Sequence, residues 1–225
     1  MSNARRTGRR PGLPEPRRQR EQGMLMINKL NRRKELRAEL LERRRQLALQ
    51  HPELGARLAE HVRAWLETQE DVFLVGFYTP IHCEPDLLPA LSAWVSRKSA
   101  RGLALPVVGR GKSMTYCLWR PGEELVEDVF HTKVPRVKRQ AFPDLVIAPC
   151  VGFTSQGFRL GYGAGCFDRM LENPASRPKT LAVAYEACRA DGLFEPAAHD
   201  IPFDWVATEL GVRPVSGRSG PDQYR

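Results

Sequence analysis

The sequence predicts a single three-layer α/β domain of the Rossmann-like type, with a mostly parallel sheet. Short apolar runs such as residues 145–148 and 180–185 suit strands that are buried on both faces of a parallel sheet. These runs alternate with segments of helical periodicity, which is the order expected of repeated strand-helix-strand units. We assign residues 25–213 to this domain, residues 1–24 to a disordered basic tail and residues 214–225 to a loose C-terminal tail.

The composition is that of a globular chain with a basic tail. Of the 225 residues, 42% are hydrophobic, and no apolar run is long enough to span a bilayer. The net charge is +9, and residues 1–22, with seven arginines against two glutamates, supply +5 of it. An arginine-rich tail resembles a transit peptide or an RNA-binding arm. Because Met24 and Met26 precede the folded pattern, we interpret the tail as a variable extension or a misplaced start.

The sequence contains five cysteines that share no pairing spacing: Cys83, Cys117, Cys150, Cys166 and Cys188. An odd number of thiols without a secretory signal predicts a reducing compartment, so we expect a cytoplasmic protein with no membrane partner. His, Cys and Glu stand together at residues 82–84, but no second ligand pair follows at a metal-binding spacing. No metal cluster is therefore predicted there.

Periodicity predicts the elements before the glycine-rich segment. A long amphipathic helix is expected over residues 29–50, where leucines recur at helical spacing and most arginines should lie on a solvated face. Further helices are predicted over residues 52–67 and 86–98, and strands over residues 71–78, 102–108, 114–119 and 205–208. Residues 109–113 (GRGKS) lack Walker spacing and join two strands, which favours a hairpin. Residues 120–142 are predicted to be an irregular binding loop.

Residues 143–171 carry the functional prediction. A buried strand runs into a glycine-rich loop, and a helix with an apolar face is predicted from residue 166 to residue 172. Neither the Walker spacing nor G-x-G-x-x-G fits the central GYGAG. Spacing alone therefore leaves a phosphate loop and a tight turn as equal alternatives.

The residues around the glycines favour a phosphate ligand. Glycine at Gly161, Gly163 and Gly165 permits positive φ and lets backbone N–H groups converge on an anion. The following helix N-terminus would add a partial positive charge. Arg159 before the glycines and Arg169 after them supply the cations that a polyphosphate needs and a structural turn does not.

Residues 157–169 resemble the signature G-x-RLGYGGGYYDR of the 5-formyltetrahydrofolate cyclo-ligases, also called methenyltetrahydrofolate synthetases. Further segments fall in the order of that family: residues 143–153, 184–186 and 199–204. The resemblance covers residues 31–211. Two positions depart from the pattern, since Ala164 replaces a glycine and Cys166 replaces the first of two aromatic residues.

The resemblance implies ATP-dependent closure of 5-formyltetrahydrofolate to 5,10-methenyltetrahydrofolate, with release of ADP and phosphate. In that reaction the formyl oxygen attacks the γ-phosphate, N10 then attacks the activated carbon, and phosphate departs. Mg²⁺ would bridge the phosphates. Such chemistry asks the protein for positioning and charge neutralisation rather than for a nucleophile.

The resemblance also implies roles for individual residues. Arg159 and Asp168 would be catalytic, with Asp168 also holding the metal. Nucleotide contacts are implied for a set of helix and loop residues: Arg33, Lys34, Arg37, Gly161, Tyr162, Gly163, Ala164, Gly165, Cys166, Phe167 and Arg169. Glu84 would accept two N–H donors from the pterin, and Met114 and Tyr116 would line the folate pocket.

Several alternatives stay open at this point. Asp168 could instead cap its helix, Met114 and Tyr116 could simply pack the core, and Cys166 could be a nucleophile, although no histidine partner is evident. The chain could also be an ATP-binding relative with an altered or lost folate reaction, as the change at Cys166 suggests. The arginine tail leaves a basic-tailed RNA-binding or regulatory protein as a further alternative, whereas no nucleic acid is expected without it.

Overall fold

The computed structural model of the chain describes residues 17–109, 113–128 and 132–216. Its helices are α1 (Arg17–Gln50), α2 (Glu53–Glu67), α3 (Leu88–Ser96) and α4 (Cys166–Met170). Residues 17–24, which the sequence assigned to the tail, therefore form the start of α1, while residues 1–16 lie outside the described ranges. No helix in these ranges combines the length and apolar character that a membrane crossing requires.

The described strands form one large sheet and two small ones. In chain order they are β1 (Leu74–Gly76), β2 (Gly102–Val108), β3 (Met114–Trp119), β4 (Leu125–Glu127), β5 (Lys133–Pro135), β6 (Gln140–Ala141), β7 (Leu145–Pro149), β8 (Gly152–Phe153), β9 (Arg159–Leu160), β10 (Lys179–Val183), β11 (Trp205–Thr208) and β12 (Gly211–Pro214). The large sheet has the order β12-β11-β10-β7-β1-β2-β3-β6. Its central strands from β11 to β2 pair in parallel, and antiparallel strands lie at both margins. The predicted mostly parallel α/β fold is confirmed.

The structure departs from the sequence predictions at the sheet margins. Residues 120–142, predicted to be irregular, contain β4, β5 and β6. β2 and β3 are antiparallel neighbours, as the hairpin prediction required, although residues 110–112 between them lie outside the described ranges. Pro214 belongs to β12 and Val215 is buried, so the domain extends beyond residue 213. Residues 217–225 are not described.

Strand β7 shows why the sheet lies between two helical layers. Leu145 and Ile147 pack into the core formed with α2 and α3. Val146 and Ala148 point to the opposite face, where the residues of α4 pack. Because side chains alternate along a strand, an unbroken apolar run is buried on both faces. The run that predicted a parallel strand thus produces the three layers.

The sheet has a topological switch point between β1 and β7. From β1 the chain adds β2 and β3 on one side and later returns to add β7 and β10 on the other side. Ligands of such sheets bind in the crevice outside the carboxyl ends of the strands at this point. The segment after β1 contains Glu84, and the segment after β7 contains Tyr162. The fold therefore brings the two predicted binding segments to one crevice.

Candidate active site

A cavity of about 880 Å³ lies beyond the carboxyl end of β7. Four parts of the chain supply most of its lining: α1, the glycine loop (residues 161–165), the start of α4 (residues 166–168) and the wall segment (residues 192–200). Pro149, Arg159 and Leu160 complete it. Met26, Leu30 and Phe194 give one part of the lining an apolar character. The rest of the lining carries charged side chains, so the cavity offers both an apolar and a charged surface to a ligand.

The glycine loop adopts the predicted positive φ at two of its three glycines. Gly163 and Gly165 have φ of 97° and 65°, whereas Gly161 is not in the positive-φ region. Gly165 occupies the N-cap of α4, which is shorter than the predicted helix and ends at Met170. So short a helix sums few peptide dipoles, so the loop N–H groups and nearby arginines are the main positive groups at this wall.

Two arginines of α1 reach the cavity walls, Arg37 at the glycine loop and Arg33 at the wall segment. Arg37 donates from Nε to the Gly161 carbonyl at 2.7 Å, and burial together with the charge of Arg33 lowers the pKa of Arg37. Arg33 donates to the Asp200 carboxylate at 2.5 Å, and its guanidinium lies 5.4 Å from the Phe194 ring centre. A partly buried pair of like charges marks a place where an anion would be stabilised.

Lys34, a predicted nucleotide contact, is exposed and is not among the described residues that line the cavity. Lys29 lines it instead and pairs with Glu195 at 2.6 Å. The reason is helical geometry, because Lys29, Arg33 and Arg37 are four residues apart and share one face. The helix turns Lys34 away from that face.

Arg159 and Asp168 form an ion pair at the cavity wall. Arg159 Nη2 lies 2.8 Å from Asp168 Oδ1, and the Arg159 side chain is only 6% exposed. Asp168 Oδ1 also accepts from the Ile201 backbone N–H at 3.1 Å, and Arg159 Nη1 donates to the Ile201 carbonyl at 2.8 Å. Asp168 lies in the first turn of α4, but among the described residues it makes no capping hydrogen bond to this helix, whose N-cap is Gly165. The Asp168 carboxylate ties α4 to the segment after the cavity wall.

Of the other residues predicted to contact the nucleotide, some line the cavity and one lies outside it. Ala164, Cys166 and Phe167 line the cavity. Phe167 also packs edge-on against Phe203, with ring centres 6.2 Å apart. Arg169 is exposed, does not appear in the described cavity lining, and donates to the Ala164 carbonyl at 2.7 Å. The structure therefore places Arg169 behind the loop, where it supports the loop backbone.

Met114 and Tyr116 are buried in the core between the sheet and α4. Neither is among the described residues that line the cavity, and this location agrees with the core-packing alternative. The Tyr116 hydroxyl has no hydrogen-bond partner in the described part of the chain. Burial raises the pKa of Tyr116.

Glu84 contacts the glycine loop rather than the large cavity. Its Oε1 accepts from the Tyr162 hydroxyl at 2.6 Å and its Oε2 from the Ile81 N–H at 2.9 Å. Burial raises the pKa of Glu84, against the hydrogen bond from Tyr162 and the charge of Arg44, which lower it. Glu84 also lines a second cavity of about 690 Å³ beside α2 and α3.

Arg44 is a residue of this site that the sequence prediction missed. Its side chain is 1% exposed and reaches Tyr162, although the arginines of this helix were expected to be solvated. A signal was present, because Leu36, Leu40 and Arg44 are four residues apart on one helical face. An arginine on the apolar face of a helix can either extend its charged end to solvent or be buried beside a partner. The tertiary packing determines which of the two occurs.

Asp200 was also missed as a site residue, although its segment was noted in the resemblance. It lines the cavity and accepts from Arg33 and from the Ala197 N–H. Burial raises the pKa of Asp200, but these hydrogen bonds outweigh it and lower the pKa overall. The carboxylate of Asp200 therefore lies in the cavity beside the guanidinium of Arg33.

The fold and cavity define a class: a doubly wound α/β protein whose switch point carries a glycine loop and converging charged side chains. A profile of the 5-formyltetrahydrofolate cyclo-ligase family matches residues 29–209. The chain belongs to the 5-formyltetrahydrofolate cyclo-ligase family, which confirms the resemblance seen in residues 157–169.

Individual relatives agree with this assignment. A 5-formyltetrahydrofolate cyclo-ligase of Mycolicibacterium smegmatis is 30% identical over 195 residues, covering 77% of this chain and 92% of the relative. The NMR structure of an Aquifex aeolicus 5,10-methenyltetrahydrofolate synthetase is 28% identical with a TM-score of 0.67, covering 86% of this chain and 98% of that one. A Mycoplasma pneumoniae 5,10-methenyltetrahydrofolate synthetase, 18% identical with a TM-score of 0.65, covers 79% of this chain and 98% of its own and shows the shared fold.

Proposed function

We propose that the protein converts 5-formyltetrahydrofolate to 5,10-methenyltetrahydrofolate, with cleavage of ATP to ADP and phosphate. The observation that carries this proposal is the convergence of Arg37, Arg159 and Asp168 on the cavity lined by the glycine loop. Arg37 is distant in the chain from Arg159 and Asp168, and all three lie within the matched family region. Phosphoryl transfer depends mainly on such positioning and charge neutralisation.

The triphosphate would lie against the glycine loop between Arg37 and Arg159. Both guanidinium groups border the cavity, and each is partly fixed by a backbone carbonyl, Gly161 for Arg37 and Ile201 for Arg159. Fixed cations lose little conformational entropy when they bind a phosphate. The apolar lining near Leu30 would accommodate the base.

The charged residues also fit Mg²⁺. No described group of three His, Cys, Asp or Glu side chains forms a metal cluster, but Mg²⁺ in phosphate sites usually takes one or two carboxylates together with phosphate oxygens. Asp168 Oδ2 accepts no hydrogen bond from a described residue, and Asp200 lies in the same lining. Asp168, assisted by Asp200, would hold the ion. Bound Mg²⁺ supplies charge neutralisation at the phosphates.

The reaction would proceed in two displacements. The formyl oxygen attacks the γ-phosphorus and ADP leaves, after which N10 attacks the formyl carbon and the carbon–oxygen bond to phosphate breaks. The N10 proton passes to solvent. Arg159 and Arg37 would stabilise the charge that develops on the phosphate oxygens. No protein nucleophile is required, so Cys166 would act only as part of the lining.

Glu84 would orient the pterin. A carboxylate offers about four lone-pair sites and so can accept the fork of an aminopyrimidine beside its present partners. The Glu84 side chain is 1% exposed, whereas Tyr162 is 41% exposed. The exposed ring of Tyr162 would therefore mark the side from which the substrate approaches the carboxylate. Met114 and Tyr116 pack behind Cys166 and Phe167 of the cavity lining, and they would border the folate from the sheet side of that lining.

We place this reaction in the cytoplasm, because all five cysteines are free. The RNA-binding alternative depends on the tail, most of which lies outside the described residues.

The experiment is a direct assay of purified protein with 5-formyltetrahydrofolate, ATP and Mg²⁺, following the absorbance of methenyltetrahydrofolate. We expect product only when all three are present, with one ADP formed per product. Folded protein that forms no product would reject the proposal. ATP cleavage without folate would instead favour the relative with an altered reaction.

A further inference from the structure

A buried arginine connects the two segments that meet at the switch point. Arg44 Nη2 donates to the Tyr162 hydroxyl at 2.5 Å, and Arg44 Nη1 lies 3.8 Å from Glu84 Oε1. Arg44 Nη1 also contacts the Cys150 carbonyl, directly after β7, at 3.5 Å. The side chains of Arg44 and Glu84 are each 1% exposed. One cation from α1 thus touches the glycine loop, the end of β7 and the carboxylate after β1.

A gain in stability is a weak explanation for this arrangement. Burying a guanidinium and a carboxylate carries a large desolvation penalty, and apolar side chains of similar volume often serve as well or better. The present contacts are also incomplete, because Arg44 Nε has no partner in the described part of the chain. A core position that holds a charged network at such a cost calls for a role beyond packing.

We propose that Arg44 is a positioning residue that holds Tyr162 of the glycine loop and Glu84 in one network. A single buried cation thus orders both the glycine loop, which would bind the nucleotide, and the Glu84 carboxylate, which would bind the pterin. This proposal rests on the proposed function. Arg44 touches neither substrate and acts through the two side chains that do. The Tyr162 ring, 5.8 Å from the Arg44 guanidinium, forms the physical link between the two binding surfaces.

Tyr162 and Arg44 of the network also oppose the effect of burial on Glu84. Several titratable groups face this carboxylate: Arg44 from α1, Tyr162 from the glycine loop, Tyr78 after β1, Cys150 after β7 and His82 from its own loop. Burial raises the pKa of Glu84, and Arg44 opposes this shift. Glu84 can accept two pterin N–H groups only as the carboxylate. Removing the Arg44 charge should therefore move the acid limb of folate kcat/KM to higher pH.

The test compares Arg44→Met, Arg44→Lys and Arg45→Met. Arg45 is a matched control, since it follows Arg44 on the same helix but is exposed and pairs only with Glu42 among described residues. We expect Arg44→Met to raise the folate KM by about tenfold and also the ATP KM, through loss of charge-assisted hydrogen bonds. Its acid limb should shift toward neutral pH, and Arg45→Met should match the wild type.

Arg44→Lys separates charge from geometry. Because the lysine keeps the positive charge, the acid limb of Arg44→Lys should stay near that of the wild type. A single ammonium cannot reproduce the two-pronged guanidinium, so the KM values of Arg44→Lys should lie between those of Arg44→Met and the wild type. Glu84→Gln should abolish the acid limb. A folded Arg44→Met with unchanged KM values and an unchanged acid limb would overturn the proposal. If Arg44→Met does not fold, unchanged KM values in Arg44→Lys would overturn it equally.

Failure of the activity itself can be told apart from failure of this network. If the wild type forms no product, the pKa of Glu84 can still be followed by the ¹³C chemical shift of its carboxyl group. We expect a higher pKa of Glu84 in Arg44→Met than in the wild type, with Arg45→Met unchanged. An equal pKa of Glu84 in folded Arg44→Met would reject the positioning role.

Discussion

At the residue scale, Asp168 joins two tasks in one carboxylate. Its Oδ1 accepts from Arg159 and from the Ile201 N–H, while Oδ2 faces no described donor. The first task is structural and needs only an acceptor oxygen, which an amide also provides. The proposed second task, holding Mg²⁺, needs negative charge. Substitution by asparagine can therefore distinguish the two.

We predict that Asp168→Asn folds and binds ATP, but loses turnover by about a hundredfold because transition-state charge is no longer neutralised. The Mg²⁺ concentration for half-maximal rate should rise. Steady-state kinetics over a Mg²⁺ series measures both effects. Glu124→Gln, which breaks an exposed pair with Arg136, is the control and should change neither. Near wild-type turnover of Asp168→Asn at limiting Mg²⁺ would show that the metal role is wrong.

At the element scale, α1 serves the core with one face and the cavity with another. Leu36 and Leu40 are buried against the sheet-end loops, while Lys29, Arg33 and Arg37 line the cavity. The helix begins at Arg17, well before these residues. The part of α1 that the cavity needs therefore starts near Met26, which also lines it.

We predict that a chain beginning at Met24 keeps its activity and thermal midpoint, because every described cavity residue of α1 is retained. A chain beginning at Asn31 should instead show a raised ATP KM, since it loses Met26, Lys29 and Leu30 and the pair between Lys29 and Glu195. Its folate KM should change little. Kinetics and thermal unfolding of both chains provide the measurement. A large loss in the chain that begins at Met24 would show that the preceding residues are structural.

At the scale of the whole molecule, the cavity exists only when three distant segments pack together. The side chain of Arg33 on α1 reaches Asp200, and Arg159 reaches Ile201 and Asp168. A ligand that binds this assembly and not the unfolded chain stabilises the fold by mass action. Such stabilisation is measurable without turnover.

We predict that ATP with Mg²⁺, at about a hundred times its Kd, raises the thermal midpoint by roughly 5–10 °C. This shift is the stabilising free energy of ligand binding divided by the unfolding entropy of a domain of this size. Differential scanning calorimetry measures the shift. In Asp168→Asn the part of the shift that depends on Mg²⁺ should be lost. An unchanged midpoint of the wild type at saturating ATP and Mg²⁺ would contradict the nucleotide site.

The sequence alone determined the mostly parallel α/β fold and the family, because both depend on patterns that are local in the chain. An apolar run at residues 145–148 is buried on both faces wherever the sheet forms, and the order of residues 157–169 requires no partner to be recognised. The expectation that Arg37 lies near the glycine loop came from the family resemblance, and the structure places Arg37 beside Gly161.

Only the tertiary structure decided which charges are buried and which line the cavity. Arg44 and Arg45 are neighbours of identical chemistry, yet one is 1% exposed beside Tyr162 and the other lies at the surface. Likewise, the packing of α1 turns Lys29 rather than Lys34 toward the cavity. The free energy of a charged side chain depends on the groups that surround it, and here those groups come from distant segments whose packing no local pattern records.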